Sequence, residues 1–141
     1  MDQKVRDAIF KKIEDEPFAQ RLGIKLIELE PGYAKTQMDS AEGMENMCGM
    51  MHGGAIVSLM DVAFEAASNS HATIAVALNM NVSFMAAPAR EGRLIAEAKE
   101  VSRTKRTAHY EIKVFDAEER LIASSQAMVY RKDDMLPFLE K

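Results

Sequence analysis

The sequence predicts an α+β fold in which a curved antiparallel sheet of about six strands wraps round a central helix, with a short N-terminal helix. Three observations lead to this prediction. The segment 55–69 is apolar in almost every helical direction, the segment 74–84 alternates with a period of two, and short polar turns separate the later segments. Because short turns join antiparallel strands, the strands after the helix are expected to be neighbours in a meander.

The N-terminal part of the chain begins with a helix and continues with two strands. Between Asp2 and about Glu16, apolar residues recur every four positions among charges, which predicts an amphipathic helix that ends before Pro17. Apolar residues then alternate from Leu22 to Leu26, which indicates a strand. Pro31-Gly32 predicts a turn into a second strand from about Tyr33 to Met38.

A loop over 39–51 precedes the predicted central helix. The segment 55–69 contains no Pro or Gly and is rich in Ala, Leu and Met, which favours a helix. Its polar residues fall on one stripe roughly 100° wide. These are Ser58, Asp61, Glu65, Ser68 and Asn69. We therefore expect a buried helix whose stripe meets water, a partner or a substrate in a confined space, although Asp61 and Glu65 also fit solvated carboxylates that complement the helix dipole.

Four strands are predicted after the helix. In the first, the even-numbered residues from Ile74 to Phe84 are expected to share one face, and Pro88 ends the pattern. A turn over 89–92 leads to strands at about 93–101, 107–115 and 121–130. A single helix leaves edges and a second face of this sheet uncovered, so oligomerisation is expected.

Length and composition limit the class of protein. The 141 residues are expected to form one domain, residues 1–141, with the 48% hydrophobic and 28% charged composition of a soluble protein. No membrane span or signal peptide is indicated, so the cytoplasm is the expected location. The net charge of −4 argues against a nucleic-acid partner. Neither the lone Cys48 nor His52, His71 and His109 show the spacing of metal ligands, and no metal or cofactor is expected.

Two local clusters have alternative interpretations. The turn with Arg103, Lys105 and Arg106 is either a solvated turn or a place for a phosphate-bearing ligand. Four of the eleven methionines crowd the segment 44–51 directly before His52, and their flexible side chains either fill gaps in a core or line an adaptable apolar pocket. They are Met44, Met47, Met50 and Met51.

A set of spaced residues carries a family resemblance. It comprises Asn46, the run His52-Gly53-Gly54, Asp61 eight positions beyond Gly53, and the strand 79–85 followed by Pro88 and Gly92. In this order, from about residue 20 to residue 130, the chain resembles the hotdog-fold acyl-CoA thioesterases of the phenylacetate pathway, the PaaI-like group. The resemblance implies a hotdog fold and hydrolysis of aromatic or short to medium acyl-CoA thioesters, with CoA as part of the substrate.

The resemblance also implies roles for individual residues. The amide of Gly53 corresponds to the oxyanion hole, which fits the unpaired N–H groups at a helix start. Asp61 corresponds to the catalytic carboxylate, either a general base or a nucleophile. Asn46 corresponds to a side chain that holds the carbonyl or the attacking water, and His52 lies beside the oxyanion site in an orienting or a structural role.

Further residues are assigned to the binding of substrate or CoA. They are Gly54, Glu65, Asn79, Arg103, Lys105 and Arg106. Glu65 either raises the pKa of Asp61 or lines the interface. The resemblance implies that each site is shared across a homodimer, with Gly53 facing Asp61 of the other subunit, and that dimers pair into a homotetramer. Some relatives carry Ser or Thr on the long strand where this chain has Ala77, with Thr73 or Asn79 as substitutes.

Two alternatives to a thioesterase remain open. A hotdog dehydratase or hydratase usually presents a different His and carboxylate arrangement, which this chain lacks. A noncatalytic acyl-CoA-binding module does not need Asp61, and an unneeded buried carboxylate is unfavourable.

Overall fold

The computed structural model describes residues 1–89 and 91–139, in which six strands form one antiparallel sheet around a central helix. The helices are α1 (Gln3–Glu14), α2 (Pro17–Leu22) and α3 (Gly53–Asn69), with a 3-10 turn at Pro137–Leu139. The strands are β1 (Lys25–Glu30), β2 (Tyr33–Asp39), β3 (Thr73–Phe84), β4 (Arg93–Arg103), β5 (Thr107–Asp116) and β6 (Leu121–Met135). The predicted fold class is confirmed.

The strand order in the sheet is β1-β2-β4-β5-β6-β3. The predicted meander is present for β4, β5 and β6, but the expectation that β3 lies beside β4 was wrong, because β3 pairs with β6 and β4 pairs with β2. The chain between β3 and β4 therefore crosses the end of the sheet. Arg90, in the turn predicted over 89–92, lies outside the described residues. Because β3 is the last strand in this order, it is an edge strand of the sheet.

The second helix, α2, was not predicted. Pro17 occupies its first turn, and Gly23 ends it with a left-handed φ of 67°. Its six residues are too few to show a helical period, and Pro17 was interpreted only as a stop signal. Leu22 therefore belongs to a helix and not to the first strand, which begins at Lys25.

The predicted burial of α3 is confirmed. Ten of its residues are buried against the concave face of the sheet. They are Ala55, Ile56, Leu59, Met60, Val62, Ala63, Phe64, Ala66, Ala67 and Ser68. Thr36 on β2 satisfies its buried hydroxyl by donating to the Leu59 carbonyl over 3.1 Å. Within the described part of the chain, no helix has the length and apolar character needed to cross a bilayer.

Strand β3 does not keep a single alternating face. Its register with β6 shifts between Ala77 and Asn79, so Leu78 is an extra residue. Each one-residue shift moves the following side chains to the other face. Before the bulge is reached from the Phe84 end, the even-numbered Phe84, Val82 and Met80 lie opposite buried residues of β6. On the other side of the bulge the odd-numbered Ala77 lies opposite a buried residue of β6, and Val76 is exposed. The prediction that the even-numbered residues of 74–84 all face one way was therefore wrong.

Candidate active site

The start of α3 holds a free backbone donor. His52 is the N-cap, and its Nδ1 accepts a hydrogen bond from the Gly54 N–H over 2.8 Å. Since Nδ1 is an acceptor, the ring proton of the neutral imidazole lies on Nε2. Among the described residues no acceptor is recorded for the Gly53 N–H. The Gly53 amide is therefore a donor at the positive end of a 17-residue helix, which suits a developing negative charge.

An apolar cavity of about 380 Å³ adjoins this donor. Its lining includes Met50, Met51, Gly53, Ile56, Phe84 and Met85. A Cβ at position 53 would lie 3.3 Å from Cζ of Phe84, so the missing side chain of Gly53 leaves room between the ring and the helix start. Met50 and Met51 thus line a cavity, while Met44 is a core residue and Met47 is fully exposed at 101%.

Asn46 organises the loop before the helix. Its Oδ1 accepts from the N–H groups of Cys48, over 2.9 Å, and Met50, over 3.0 Å. The His52 N–H donates to the Met44 carbonyl over 2.7 Å, which ties the two arms of this loop together. Because Oδ1 is occupied by the loop, the amide Nδ2 is the part of Asn46 available to a ligand.

Asp61 and Glu65 lie farther along α3 and reach solvent in the single chain. The sequence argument that Asp61 is a buried carboxylate is thus wrong for the chain by itself. Desolvation by the surrounding protein nevertheless raises the pKa of Asp61 above its ordinary value, and the charge of Glu16 raises it further. Of the rest of the polar stripe, Ser58 donates to the Gly54 carbonyl and Asn69 bonds to the start of β3.

Glu16 was missed by the sequence analysis. It is the N-cap residue of α2 and lines a small cavity with Glu65. Burial raises the pKa of Glu65 to about 8, and a hydrogen bond with Glu16, then the charges of Glu16 and Asp61, contribute to the shift. Only the packing of the N-terminal helices against α3 places Glu16 there, and the pair Glu16-Pro17 signals nothing but a helix boundary.

We expect the variant Glu65→Gln to be more stable than the wild type near pH 8. When the pH lies between 4.5, the ordinary pKa of this carboxyl group, and about 8, its pKa in the folded chain, the folded chain holds the Glu65 proton and the unfolded chain releases it. The free energy of unfolding therefore falls as pH rises through this window. Thermal unfolding between about pH 5 and pH 8 should show a smaller loss of Tm in the variant. Glu42→Gln, at an exposed loop carboxylate, is the matched control, and identical pH profiles for all three proteins would contradict the raised pKa.

The residues of β3 that were predicted to contact the substrate or to assist Asp61 lie at different positions along the strand. Asn79 is exposed directly after the bulge, and Ala77, which precedes it opposite Val129 of β6, is also exposed. Thr73 is half-buried at the start of the strand. None of the three has a hydrogen bond to Asp61 among the described residues, so their roles stay predictions.

The basic turn joins β4 to β5 at one end of the sheet. Arg106 bonds to Asp133 over 2.9 Å and to the Arg131 carbonyl over 3.3 Å. Lys105 is exposed, and Arg103 contacts the ring of His71. Among the described residues, Arg106 therefore forms an ion pair with a carboxylate, whereas Arg103 and Lys105 do not.

The two central residues of the predicted site do not meet within one chain. Gly53 and Asp61 are separated by eight residues of one helix, which at a rise of about 1.5 Å per residue amounts to about 12 Å. An oxyanion donor and a base must both lie about 3 Å from the reacting groups. Within one chain, the Gly53 N–H and the Asp61 carboxylate are therefore too far apart along the helix to meet the same reacting group. No three His, Cys, Asp or Glu side chains in residues 1–89 and 91–139 are placed to hold a metal ion.

Comparison with known proteins identifies similar sequences and folds. The family model for the thioesterase superfamily matches residues 48–123. A protein of Archaeoglobus fulgidus named provisionally as an esterase is 35% identical over 137 residues, which cover 97% of this chain and 87% of the relative. The acyl-coenzyme A thioesterase PaaI of Escherichia coli is 30% identical over 118 residues, 84% of each chain. The structure of the E. coli PaaI protein from the phenylacetic acid degradation operon superposes with a TM-score of 0.88 at 27% identity, covering 94% of this chain and 96% of that one.

Proposed function

This chain belongs to the thioesterase superfamily as a PaaI-like thioester hydrolase of the hotdog fold, and we propose that it hydrolyses acyl-CoA thioesters to the free acid and CoA. The observation that carries the proposal is the Gly53 N–H, without a recorded acceptor among the described residues, at the start of a buried helix beside an apolar cavity. The cavity is lined by Met, Phe and Ile side chains, which suits aromatic acyl groups such as phenylacetyl derivatives, or short to medium acyl chains.

In this mechanism the thioester carbonyl oxygen accepts a hydrogen bond from the Gly53 N–H. The negative charge that this oxygen gains in the tetrahedral intermediate is then stabilised by a fixed donor and the helix dipole. Asp61 accepts a proton from water as the oxygen of that water adds to the carbonyl carbon, or attacks that carbon directly to give a mixed anhydride that water later hydrolyses. The C–S bond breaks, and CoA leaves as the thiolate, which takes up a proton.

The environment of Asp61 fits the role of base. A raised pKa makes its carboxylate a stronger proton acceptor. Glu65, with a pKa of about 8, is largely protonated there, so it adds little repulsion against an anionic substrate. His52 positions the helix start through the Gly54 N–H, and Asn46 offers its Nδ2 to the carbonyl or to the attacking water.

We propose that two copies of the chain complete each site. The separation of Gly53 and Asp61 along α3 supports a base that comes from a second copy, with Asn46, His52 and Gly53 in the first. Strand β3 supports this arrangement, because β6 pairs with one of its edges and no strand in the described sheet covers the other. The unpaired N–H and C=O groups of such an edge are a template for pairing with a strand of another chain. Val76 and Leu78 on it are exposed at 40% and 52%. A homodimer is thus the smallest active unit, and we expect dimers to pair into a homotetramer, as the resemblance implies.

The phosphate groups of CoA are assigned to the basic turn between β4 and β5. Arg103 and Lys105 supply positive charge, and among the described residues neither forms an ion pair with a carboxylate, whereas Arg106 adds to the field while bonded to Asp133. Guanidinium groups bind phosphate through paired hydrogen bonds. Gly54, Glu65 and Asn79 are assigned to contacts with the substrate, as the resemblance implies.

The experiment that tests the function is hydrolysis of an acyl-CoA panel by the purified chain. Phenylacetyl-CoA, hydroxylated phenylacetyl-CoA, benzoyl-CoA and fatty acyl-CoA are compared, and released CoA is measured by chromatography, because a thiol dye would also label the exposed Cys48. We expect turnover of at least one ester at a rate that depends on Asp61. Binding of CoA esters without turnover would favour the noncatalytic module.

A further inference from the structure

A chain of hydrogen bonds outside the catalytic residues runs from the core to the basic turn. The buried Tyr110 donates its hydroxyl to Oε1 of Glu100 over 3.0 Å. Nε2 of His71 lies 2.9 Å from the same carboxylate oxygen. Nη1 of Arg103 contacts both ring nitrogens of His71, at 2.7 Å from Nε2. The Tyr110 ring also packs edge-on against Phe64 of α3, so this series of hydrogen bonds is anchored in the core.

A β-bulge brings Glu100 and Arg103 to the same face of the sheet. Residues three apart in a regular strand point to opposite faces. The register between β4 and β5 shifts between Glu100 and Ser102, which places Glu100 opposite Tyr110 and Arg103 opposite Ala108. Tyr110 and Ala108 are two residues apart and both buried, so both face the helix. Without the bulge, Arg103 would point to the outer face, away from His71.

The backbone on both sides accommodates this arrangement. The Glu100 N–H donates to the Gly32 carbonyl over 2.8 Å, and a Cβ at Gly32 would lie 2.9 Å from Cβ of Glu100, so a glycine is needed beside this carboxylate. On the other side, Ala72 adopts a φ of 73°, a conformation uncommon for alanine. Its carbonyl accepts from the Leu136 N–H over 2.9 Å, which holds the turn that carries His71.

The protonation states define the direction of each hydrogen bond. Burial lowers the pKa of His71, and the charge of Arg103 lowers it further against the opposing effect of Glu100. Burial would raise the pKa of Glu100, but hydrogen bonds from His71 and Tyr110 outweigh it and hold this pKa below its usual range. A neutral His71 therefore donates from Nε2 to Glu100 and keeps Nδ1 as the acceptor for Arg103.

We propose that His71, held by Glu100, is a positioning residue that fixes the guanidinium of Arg103 for the phosphate groups of the CoA substrate, an inference that rests on the proposed function. The contact with His71 uses one nitrogen of Arg103 and leaves most of its five N–H donors available. A guanidinium that is already ordered loses less rotamer freedom when phosphate binds. Glu100, His71 and Arg103, which we call the relay, therefore act on binding of the nucleotide part of CoA and not on bond cleavage.

The test compares wild type, His71→Ala, His71→Gln, Arg103→Ala and the double variant His71→Ala/Arg103→Ala. Each is assayed with a CoA thioester and with the pantetheine thioester of the same acyl group, which lacks the nucleotide. We expect His71→Ala to raise KM for the CoA ester about three- to tenfold, with kcat and the pantetheine ester unaffected. His71→Gln, which keeps a donor and an acceptor, should restore most of the loss. In the Arg103→Ala background, His71→Ala should have no further effect.

The exposed His109, opposite Ser102 on β5, gives the matched control His109→Ala, which should behave as wild type. Equal effects of His71→Ala on both esters, additivity with Arg103→Ala, or an unchanged KM in either single variant would overturn the relay. Absence of turnover in the wild type would instead overturn the proposed function. Calorimetric titration with CoA and with pantetheine then decides the relay: weaker binding of CoA alone by His71→Ala supports it, and unchanged binding overturns it.

Discussion

Replacement of Asp61 by Asn should reduce kcat for the preferred acyl-CoA by about 10² to 10⁴, because the amide cannot accept a proton from water or form an anhydride. KM should change little, since the side chain keeps its size. The fold should persist, because removing a carboxylate whose pKa is raised by desolvation and by the charge of Glu16 relieves an unfavourable charge. Turnover of the panel and Tm, measured on the same preparations, check both parts.

The matched control for Asp61→Asn is Asp7→Asn. Asp7 is an exposed carboxylate of α1 that accepts a hydrogen bond from Gln3 one turn away, so its removal should leave kcat unchanged. Size-exclusion chromatography with light scattering establishes that the Asp61→Asn variant keeps the assembly of the wild type. Wild-type turnover by that assembled variant would eliminate Asp61 as base and as nucleophile.

Replacement of Gly53 by Pro should remove the oxyanion donor without removing the helix. Proline is well tolerated at the first position of a helix, where its missing N–H has no intrahelical partner. The preceding His52 already has φ −64° and ψ 135°, a conformation that proline accepts in its neighbour. We expect kcat to fall about 10² to 10³-fold relative to Gly53→Ala, measured with the same acyl-CoA.

Gly53→Ala is the appropriate reference because it keeps the N–H and adds the same Cβ. That Cβ would lie 3.3 Å from the Phe84 ring, so both variants share any displacement of this side chain. Their difference reports the loss of the N–H together with the ring atoms that replace it. Equal activity of the two variants would show that the Gly53 N–H does not stabilise the transition state.

The two variants together also test whether the site is shared. In a heterodimer of Asp61→Asn and Gly53→Pro chains, a site that takes Gly53 from one subunit and Asp61 from the other is intact once and doubly impaired once. Coexpressed, differently tagged chains should therefore recover about half of the wild-type activity. No recovery, in heterodimers shown to be assembled, would place Gly53 and Asp61 of each site in the same subunit.

Much of the fold followed from local patterns. The segment 55–69 is apolar in nearly every helical direction, and this identified α3, because a helix that is buried on most sides carries apolar residues on most sides. The meander of β4 to β6 followed from short turns, which constrain neighbouring strands. The family followed from the spacing of Asn46, His52-Gly53-Gly54 and Asp61, and the thioesterase family model and the PaaI comparisons confirm that resemblance.

The errors arose where local pattern and tertiary packing differ. Helix α2 is too short to show a period, and the bulge at Leu78 cannot be detected from alternation, since it appears only in the pairing with β6. The position of β3 beside β6 is a pairing between strands that lie far apart in the sequence. These features are settled by contacts between distant segments.

The sequence by itself determined the fold class, the buried helix and the order of the site residues, because periodicity and spacing are properties of neighbours along the chain. Only the tertiary structure decided that the Gly53 N–H lacks an acceptor among the described residues, and that Glu16 lies beside Glu65. It alone joined His71 to Arg103 and Glu100. Hydrogen bonds and charge interactions act through space over a few ångströms, and residues far apart in sequence reach that distance only when the helices and strands have packed.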